Sequence, residues 1–344
     1  MNEASAAGIS YVLPLKSSTP LTTTEFSDYL RWLASRVNEV IVVDASPDVV
    51  FAANDELWGS VASHIRPAPD LVTPMGKVGN VLTGLRVARG ESVVIADDDV
   101  RYDERSLAQI AAALEESDVV RPQNYFEPLP WHAVWDTGRM LLNRMTGGDW
   151  PGTIGVRISY LRATGGYDGR ALFENLELVR TVVAAGGKES ALLGTYVLRK
   201  PSTGRHFWSQ RIRQAYDEMA RPARLIAQLS ILPIVVALAL AGWWRVLALL
   251  VLAITAVAEL GRWREGGRRF LPFSGSLLAP VWVAERAICS WLALFARIAL
   301  GGVPYRGTIL RHAATPLREL RVRYQKSQLD ALNQPDRTTR YQSV

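Results

Sequence analysis

The chain has 344 residues, of which 49% are hydrophobic and 21% are charged, and its formal net charge is +6. This length and apolar content exclude a chain that is disordered throughout and allow one large or two ordinary domains. The basic excess suits either nucleic acid or an anionic membrane. The basic C-terminal part follows a strongly apolar region, and the sequence has no paired Cys and His zinc ligands or aromatic RNA-binding signature. A membrane is therefore expected as a partner, and nucleic acid is not.

Cysteine usage and the N-terminus bear on the cellular compartment. The single cysteine, Cys289, lies among apolar residues, so it forms no internal disulfide and is expected to be a packing residue. The first ten residues have neither a positively charged start nor an apolar stretch of signal-peptide length. We therefore expect the N-terminal part of the chain to stay in the cytoplasm.

The N-terminal pattern predicts a βαβ unit. Residues 9–15 predict a strand, residues 25–37 carry apolar side chains at helical spacing, and residues 40–43 form a second apolar run that ends at Asp44. Strands that alternate with helices imply a parallel sheet with right-handed crossovers. Asp44 then lies at the ligand-facing edge of the sheet, where its carboxylate either accepts hydrogen bonds from a nucleobase or ribose or forms a turn.

Three consecutive acids, Asp97, Asp98 and Asp99, follow an apolar run that predicts a buried strand. In an α/β protein the C-terminal end of such a strand opens onto the ligand crevice. One or two carboxylates together with a substrate diphosphate complete the oxygen shell of a divalent ion such as Mg²⁺. The alternative is a solvated acidic turn that caps the following helix. The strand ahead and the predicted helix behind favour the metal.

Residues 75–84 place Gly76, Lys77 and Gly79 before a helix that we predict to run to Arg89. Glycine lets the backbone approach a ligand, and a lysine near a helix N-terminus suits an anion. The spacing is not that of a Walker loop. Alternatively, the glycines only shape a loop and Lys77 faces solvent.

Four sequence blocks occur in a fixed order along the chain: residues 11–14, 41–44, 94–99, and 165–168 followed by 173–178. Together they resemble the nucleotide-sugar glycosyltransferases of the GT-A fold, in particular the large inverting family that includes polyisoprenyl-phosphate and ceramide or hopanoid glycosyltransferases. Lys77 and Asn80 also resemble part of a Lys-Val-X-Asn element of the ceramide-type members. The resemblance covers roughly residues 9–216. It implies an α/β catalytic domain of the GT-A fold, Rossmann-like with a mainly parallel sheet, followed by C-terminal membrane helices.

The resemblance also implies residue roles on the donor side. The implied donor contacts are Pro14, Asp44, Lys77, Asp97, Asp98 and Arg213. Asp97 and Asp99 hold a divalent cation, Mg²⁺ or Mn²⁺, together with the diphosphate. Asp98 is placed for a donor hydroxyl or a neighbouring backbone amide.

The pair Glu174 and Asn175 departs from the family, which usually has Glu-Asp here and uses the Asp to deprotonate an acceptor hydroxyl. Asn cannot accept that proton. Either Glu174 acts as the base, or Glu177 replaces it, or the acceptor is already anionic, as a phosphate is, and needs no strong base. Alternatively, both glutamates decorate a helix face that Asn175 caps.

Candidate acceptor residues follow the acidic strand in a segment that is dense in aromatic residues, prolines and polar groups. Trp131, His132 and Trp135 are candidates to stack on a sugar or to line a lipid headgroup groove, and Arg139 and Arg144 to meet a phosphate. His132 is alternatively a hydrogen-bonded packing residue.

A basic segment near residue 210 resembles the Gln-X-X-Arg-Trp motif of processive and ceramide-type relatives in a degraded form. Gln214 stands where Trp would be. The resemblance implies a diphosphate contact for Arg213 and acceptor contacts for Gln210 and Arg211. The alternative is a basic face that lies on the membrane.

Two apolar runs, residues 225–241 and 246–257, predict a transmembrane helical hairpin. Each reaches the roughly 20 residues of a span only when its Trp and polar ends are counted, so two short buried core helices are the alternative. Basic residues flank both ends of the hairpin, and the connecting turn carries only Arg245. Both ends are therefore predicted to be cytoplasmic.

A third apolar run, residues 277–300, contains Glu285, Arg286 and Arg297. If it crossed the bilayer, the basic tail that follows it would lie outside the cell. Residues 301–344 have eight Lys or Arg against three Asp or Glu, and such basic segments favour the cytoplasmic side. An interfacial or re-entrant helix is therefore preferred, with a third span as the alternative.

The sequence thus predicts a catalytic domain at residues 1–220, a hairpin at 221–262, an interfacial or third membrane helix at 263–310 and a basic tail at 311–344. We expect a glycosyltransferase at the cytoplasmic face of the cell membrane that moves a sugar, with inversion, from a nucleoside-diphosphate sugar to a lipid acceptor, either polyprenyl phosphate or a glycolipid precursor. One alternative is a nucleotidyltransferase, although its Gly-rich loop should follow the first strand, where this chain has Lys16–Thr19. The other is a non-catalytic sugar-nucleotide-binding membrane scaffold.

Overall fold

The computed structural model describes residues 8–305 and 308–333, so the predicted basic tail lies outside the described residues beyond position 333. Within those ranges the chain forms ten strands: β1 (Ile9–Leu15), β2 (Glu39–Asp44), β3 (Ser63–Ile65), β4 (Ser92–Ala96), β5 (Val100–Arg101), β6 (Val119–Phe126), β7 (Thr153–Arg157), β8 (Glu189–Arg199), β9 (Val303–Tyr305) and β10 (Thr308–Leu310). The same ranges form twelve α-helices: α1 (Thr24–Ala34), α2 (Asp48–Trp58), α3 (Gly76–Val87), α4 (Glu104–Glu116), α5 (Trp131–Met145), α6 (Ile158–Ala163), α7 (Glu174–Ala184), α8 (Gly204–Tyr216), α9 (Pro222–Leu240), α10 (Trp244–Trp263), α11 (Phe273–Leu300) and α12 (Leu317–Asn333).

Eight strands form one sheet in the order β3-β2-β1-β4-β7-β6-β8-β5. Six of them run in the same direction, and β7 and β5 run against their neighbours. β9 and β10 pair separately as a small antiparallel ribbon. The α/β class with a mainly parallel sheet, which the sequence predicts, is confirmed.

The central strands are buried on both faces because helices cover both sides of the sheet. Successive residues of a strand point to opposite faces. Accordingly, Val12 belongs to a core cluster with Val81 of α3, whereas Leu13 belongs to the opposite cluster with Leu30 of α1. Because β1 pairs in parallel with both β2 and β4, the carboxyl ends of these three strands lie along one edge of the sheet.

The structure corrects the predicted loop that contains Gly76 and Gly79. The helix α3 begins at Gly76, so both glycines and Lys77 lie in its first two turns rather than ahead of it. A Cβ atom on Gly79 would collide with the Leu71 carbonyl oxygen. A residue without a side chain is therefore required where this helix begins, and the glycine does not break the helix.

In the described part of the chain, three helices are long and apolar enough to cross a membrane. They are α9, α10 and α11, and they correspond to the three apolar runs of the sequence. Only 6% of the apolar window of α9 and 11% of that of α10 is buried within the protein, against 39% for α11. The helices α9 and α10 thus expose most of their apolar surface, as helices of a membrane hairpin would.

The helix α11 contacts the rest of the protein along its length. Near its beginning, a Cβ atom on Gly138 of α5 would lie 3.0 Å from the Ala279 Cα atom. Near its end, the Arg297 side chain donates a hydrogen bond of 3.1 Å to the hydroxyl of Tyr216 of α8. The helix α11 therefore packs against α5 and α8. Its predicted interfacial position and the alternative, a third membrane span, both stay predictions, because α11 is long and apolar enough to cross a membrane.

A buried arginine joins the sheet domain to the apolar helices. Arg144 of α5 is fully buried and donates hydrogen bonds to the carbonyl oxygens of Gly261, Leu193 and Arg264 and to the hydroxyl of Tyr196. It therefore connects α5 with β8 and the end of α10, and it is not placed to meet a ligand phosphate.

We expect Arg144→Leu to lower the free energy of unfolding by about 3 kcal/mol, because several buried acceptors lose a charged donor at once. The melting temperature of the detergent-solubilised protein measures this loss. The exposed Arg105 of α4 offers a matched control, and Arg105→Leu should leave the melting temperature within about 1 °C of the wild type. Equal melting temperatures for both variants would contradict the connecting role of Arg144.

Candidate functional site

Two cavities meet at the acidic end of β4. The larger one, of about 820 Å³, lies at the ends of β1 and β2 and is lined by Pro14, Lys16, Ala45 and Tyr305 among others; we call it the strand-end cavity. The smaller one, of about 280 Å³, lies towards α9 and α11, and we call it the helix-side cavity. Eight residues line both cavities: Lys77, Asp97, Asp99, Glu174, Arg199, His206, Gln210 and Arg213.

The acidic residues are held by two basic side chains where the cavities meet. The pairing of β5 with β8 sets Val100 opposite Arg199. Arg199 Nε lies 2.9 Å from Asp99 Oδ2, and Arg199 Nη2 lies 3.4 Å from Asp97 Oδ2. On the other side, Lys77 Nζ lies 2.6 Å from Asp97 Oδ1. Basic and acidic side chains thus alternate in the order Lys77, Asp97, Arg199 and Asp99 where the two cavities meet.

The three acids differ in their protonation. Burial alone would raise the pKa of Asp97, but the charges of Lys77 and Arg199 outweigh it and hold that pKa below its usual value. Burial and the neighbouring carboxylates raise the pKa of Asp98 to about 6. The pKa of Asp99 is also raised by burial, although Arg199 partly offsets this effect. Additional positive charge at this point would therefore be favourable.

The donor atoms of Asp97 and Asp99 fit a hard divalent cation. Asp99 Oδ1 is a buried oxygen without a hydrogen-bond partner in the described part of the chain. The described residues contain no group of three or more His, Cys, Asp or Glu side chains suited to a metal. A cation held here by two carboxylates would thus need further oxygen ligands, which a bound diphosphate can supply.

The acidic triplet does not cap the helix that follows it. Asp103 is the N-cap of α4, and its carboxylate accepts a hydrogen bond of 2.7 Å from the Ser106 amide in a capping box. The alternative interpretation of the triplet as a helix cap is therefore wrong.

Glu174 and Asn175 begin α7 and line the helix-side cavity. Glu174 Oε1 lies 2.9 Å from Lys77 Nζ, so Lys77 connects Glu174 with Asp97. The Asn175 side chain donates a hydrogen bond to the Pro151 carbonyl oxygen and is held against the loop before β7. Glu177, in contrast, is fully buried and accepts a hydrogen bond from the Thr315 amide away from both cavities.

Asp44 lies behind the wall of the strand-end cavity. Both of its carboxylate oxygens accept hydrogen bonds: Oδ1 from the Ser46 amide, and Oδ2 from Asn54 and His64. Burial opposes ionisation, but these hydrogen bonds outweigh it and lower the pKa of Asp44 to about 2. The neighbouring Ala45 lines the cavity instead, together with Pro14.

The candidate acceptor residues on α5 separate into two groups. His132 lines the helix-side cavity, and its Nε2 atom lies 2.7 Å from the Ser202 carbonyl oxygen. Trp131, which is 54% exposed, and Trp135 lie outside the cavity lining. They pack with Trp208 in an aromatic cluster at the surface.

The candidate residues on α8 also differ in their surroundings. Gln210 and Arg213 line both cavities. Arg211 does not; it is 2% exposed and forms ion pairs of 3.1 Å with Asp136 and 2.6 Å with Glu285. Arg211 therefore joins α8 to α5 and α11.

Several residues that line the helix-side cavity were not predicted as site residues from the sequence, among them Arg199, Arg286, Asp217 and Arg221. Arg199 is the last residue of β8, so the rule that located the acids at a strand end could have found it. Arg286 stands in an apolar run, and a charge there is a recognised signal of function. Asp217 and Arg221 carried no comparable signal, because they lie in a short polar segment between two helices.

No protein-family model and no curated protein matches this sequence. Similar solved structures include a mannosyltransferase, PcManGT, from Pyrobaculum calidifontis in complex with GDP-Man and Mn²⁺, at 16% identity and a TM-score of 0.44, which covers 94% of this chain and 86% of that chain. A second is a fragment of S. aureus TarS in complex with UDP-GlcNAc, at 20% identity and a TM-score of 0.40. A third is glucosyl-3-phosphoglycerate synthase from Mycobacterium tuberculosis with Mn²⁺, UDP and phosphoglyceric acid, at 17% identity and a TM-score of 0.41.

Coverage differs among these structures. The match spans 58% of this chain and 60% of the TarS fragment, and 62% of this chain and 78% of the glucosyl-3-phosphoglycerate synthase. This chain therefore spans less than two thirds of the TarS fragment. Because the identities and TM-scores are this low, we infer the function of this protein from its own site.

Proposed function

We propose that this protein is a membrane-bound, metal-dependent glycosyltransferase that moves a sugar, with inversion, from a nucleoside-diphosphate sugar to a lipid acceptor at the cytoplasmic face of the membrane. One observation carries the proposal. The paired carboxylates of Asp97 and Asp99 lie where two cavities meet, one at the strand ends and the other beside helices of membrane length. Donor and acceptor can therefore approach the acids from opposite sides.

The donor side is the strand-end cavity. Its volume and its position at the carboxyl ends of a mainly parallel sheet suit a nucleotide. Asp97 and Asp99 would hold the cation, which supplies positive charge to the leaving diphosphate when bound. Lys16, Lys77 and Arg213 add positive charge to the same wall. These side chains would bind the diphosphate and stabilise the charge that develops on it.

The acceptor side is the helix-side cavity. Glu174, Asn175 and His132 line it, as do residues of α9 and α11. An acceptor that enters there would reach the sugar from the side opposite to the diphosphate. The placement of the two cavities on either side of the acids therefore supports a single displacement with inversion.

Sugar transfer itself tests the proposal. A panel of labelled nucleoside-diphosphate sugars is incubated with the full chain and extracted membrane lipids, and both labelled lipid and free nucleotide are measured. We expect one donor to yield labelled lipid. Release of pyrophosphate from a nucleoside triphosphate would favour a nucleotidyltransferase instead, and donor binding without transfer or hydrolysis would favour a scaffold.

Glu174→Gln should lower the turnover number about 10²-fold and change the dissociation constant of the donor less than about threefold. The variant removes a carboxylate that lines the acceptor side and pairs with Lys77. Turnover and donor binding are measured separately. Glu104 is the first residue of α4, as Glu174 is of α7, and it is exposed, so Glu104→Gln is a matched control. Normal turnover of Glu174→Gln would remove Glu174 from the reaction.

A further inference from the structure

The helix-side cavity contains a buried arginine without an acidic partner. Arg286 of α11 is 3% exposed and has no carboxylate within ion-pair distance among the described residues. Its Nε atom has no hydrogen-bond partner there, and Nη2 has only a long contact of 3.5 Å with Gln214. Arg211 is as deeply buried but is paired with Asp136 and Glu285. An unpaired buried charge is costly, which indicates that an anion completes the surroundings of Arg286.

Other unpaired donors line the same cavity. Arg221 Nε and Trp282 Nε1 are buried and have no hydrogen-bond partner among the described residues. Arg221 and Arg224 share one carboxylate, that of Glu218. The cavity thus offers several N–H donors and more positive than negative charge to a ligand.

Asp217, which also lines this cavity, does not neutralise the positive charge of the arginines. Burial raises the pKa of Asp217 to about 8, so its carboxyl group is protonated at neutral pH. Its Oδ1 atom is buried and has no hydrogen-bond partner in the described part of the chain. A protonated carboxyl group can donate a hydrogen bond to an anionic oxygen, whereas a carboxylate would repel it.

We propose that the helix-side cavity binds the phosphate group of a phosphorylated lipid, and that Arg286 and Arg221 are its charged donors. A phosphate monoester offers several anionic oxygens and forms charge-assisted hydrogen bonds with guanidinium groups. The inference rests on the proposed function, because this phosphate is then the acceptor of the sugar.

The position of the cavity identifies the lipid as the source of the phosphate. Arg221 and Arg224 stand where α9 begins, and Trp282 and Arg286 lie on α11. In the predicted membrane arrangement, this is the level at which the headgroups of cytoplasmic lipids lie. A phosphate that entered from this side would carry its hydrocarbon chain along the exposed apolar surface of α9.

A phosphate acceptor makes a base unnecessary. An ionised phosphate oxygen forms the bond to the anomeric carbon while the bond from that carbon to the diphosphate breaks. The electron pair leaves with the nucleoside diphosphate, and no proton has to be removed from the acceptor. No base is then required at Asn175, and Glu174 acts through its ion pair with Lys77 rather than by taking a proton.

Binding of a long-chain polyprenyl monophosphate tests the inference. The full chain in phosphatidylcholine nanodiscs is titrated with this lipid and, separately, with the uncharged polyprenol of the same length, and the melting temperature is recorded. We expect the monophosphate to raise the melting temperature and the polyprenol to leave it unchanged. Arg286→Met should weaken the binding of the monophosphate about 10- to 100-fold.

The unliganded Arg286→Met protein gives a second readout. Removal of an unpaired buried charge should leave its melting temperature equal to or above that of the wild type, so loss of binding would not reflect loss of folding. The exposed Arg269 lies just before α11, and Arg269→Met removes the same charge from the protein as a control. This control should bind the monophosphate as the wild type does.

Three outcomes would overturn the inference. They are equal binding of polyprenol and polyprenyl monophosphate, equal effects of Arg286→Met and Arg269→Met, and equally tight binding of glycerol phosphate, which would make a soluble monoester the ligand. Donor binding, measured in the same samples, separates this inference from the proposed function. Sugar transfer to an uncharged lipid would refute the phosphate and retain the glycosyltransferase, whereas absence of binding by every donor would refute the glycosyltransferase.

Discussion

Asp97→Asn should lower sugar transfer about 10³-fold, which corresponds to about 4 kcal/mol of transition-state stabilisation. Asp97 supplies one of two carboxylates to the cation site and also pairs with Lys77 and Arg199. The Asn side chain has the same shape as that of Asp but no charge. The variant should therefore bind both the cation and the diphosphate less tightly. Transfer is measured as a function of Mg²⁺ and Mn²⁺ concentration, and the variant should require more metal for half of its maximal rate.

The fold should survive this substitution, because Lys77 keeps its ion pair with Glu174. The exposed Asp28 of α1 provides the control, and Asp28→Asn should retain wild-type transfer. Addition of a metal chelator should abolish transfer by the wild-type protein. Transfer that persists in the chelator, together with near-normal transfer by Asp97→Asn, would contradict a metal site at these acids.

The strands could be predicted because their signal is local. The apolar runs at β1, β2 and β4 follow from burial on both sides of the sheet, and the predicted bounds agree with the observed ones within a residue or two. The start of α3 could not be predicted in this way. Gly76 and Gly79 have low helix propensity, and the reason for a glycine at position 79, the close approach of the Leu71 carbonyl, is a tertiary contact.

The same distinction between local signals and tertiary contacts explains which residues of the candidate site could be predicted. Strand ends could be located from the sequence, so Asp97 and Asp99 were expected at the end of a strand that opens onto the ligand crevice. The partners of arginines could not be located, because Arg199 reaches Asp99 through the pairing of β5 with β8, and Arg211 finds Asp136 at a distance of 75 positions along the chain. Sequence alone therefore could not distinguish the paired Arg211 from the unpaired Arg286.

Asp217 should make the stability of the protein depend on pH in a direction that is unusual for a carboxylate. Burial raises its pKa to about 8, an effect that Glu174 reinforces and that Arg213, Arg286 and Arg221 reduce. In the unfolded chain an aspartate titrates near pH 4. Between about pH 4 and pH 8 the folded state therefore holds a proton that the unfolded state has lost, and the free energy of unfolding falls as the pH rises.

Asp217→Asn should remove this dependence, because the amide stays uncharged at every pH. The slope that it removes is at most about 1.4 kcal/mol per pH unit. We expect the variant and the wild type to melt at the same temperature near pH 4, and the variant to melt several degrees higher at pH 8. Asp28→Asn, which changes an exposed acid, should leave the pH dependence of the wild type intact. The contradicting result is a melting temperature that changes between pH 5 and pH 8 by the same amount in the wild type and in Asp217→Asn. This result would show that Asp217 is ionised in the folded protein. The helix-side cavity would then hold a carboxylate where the phosphate needs a hydrogen-bond donor.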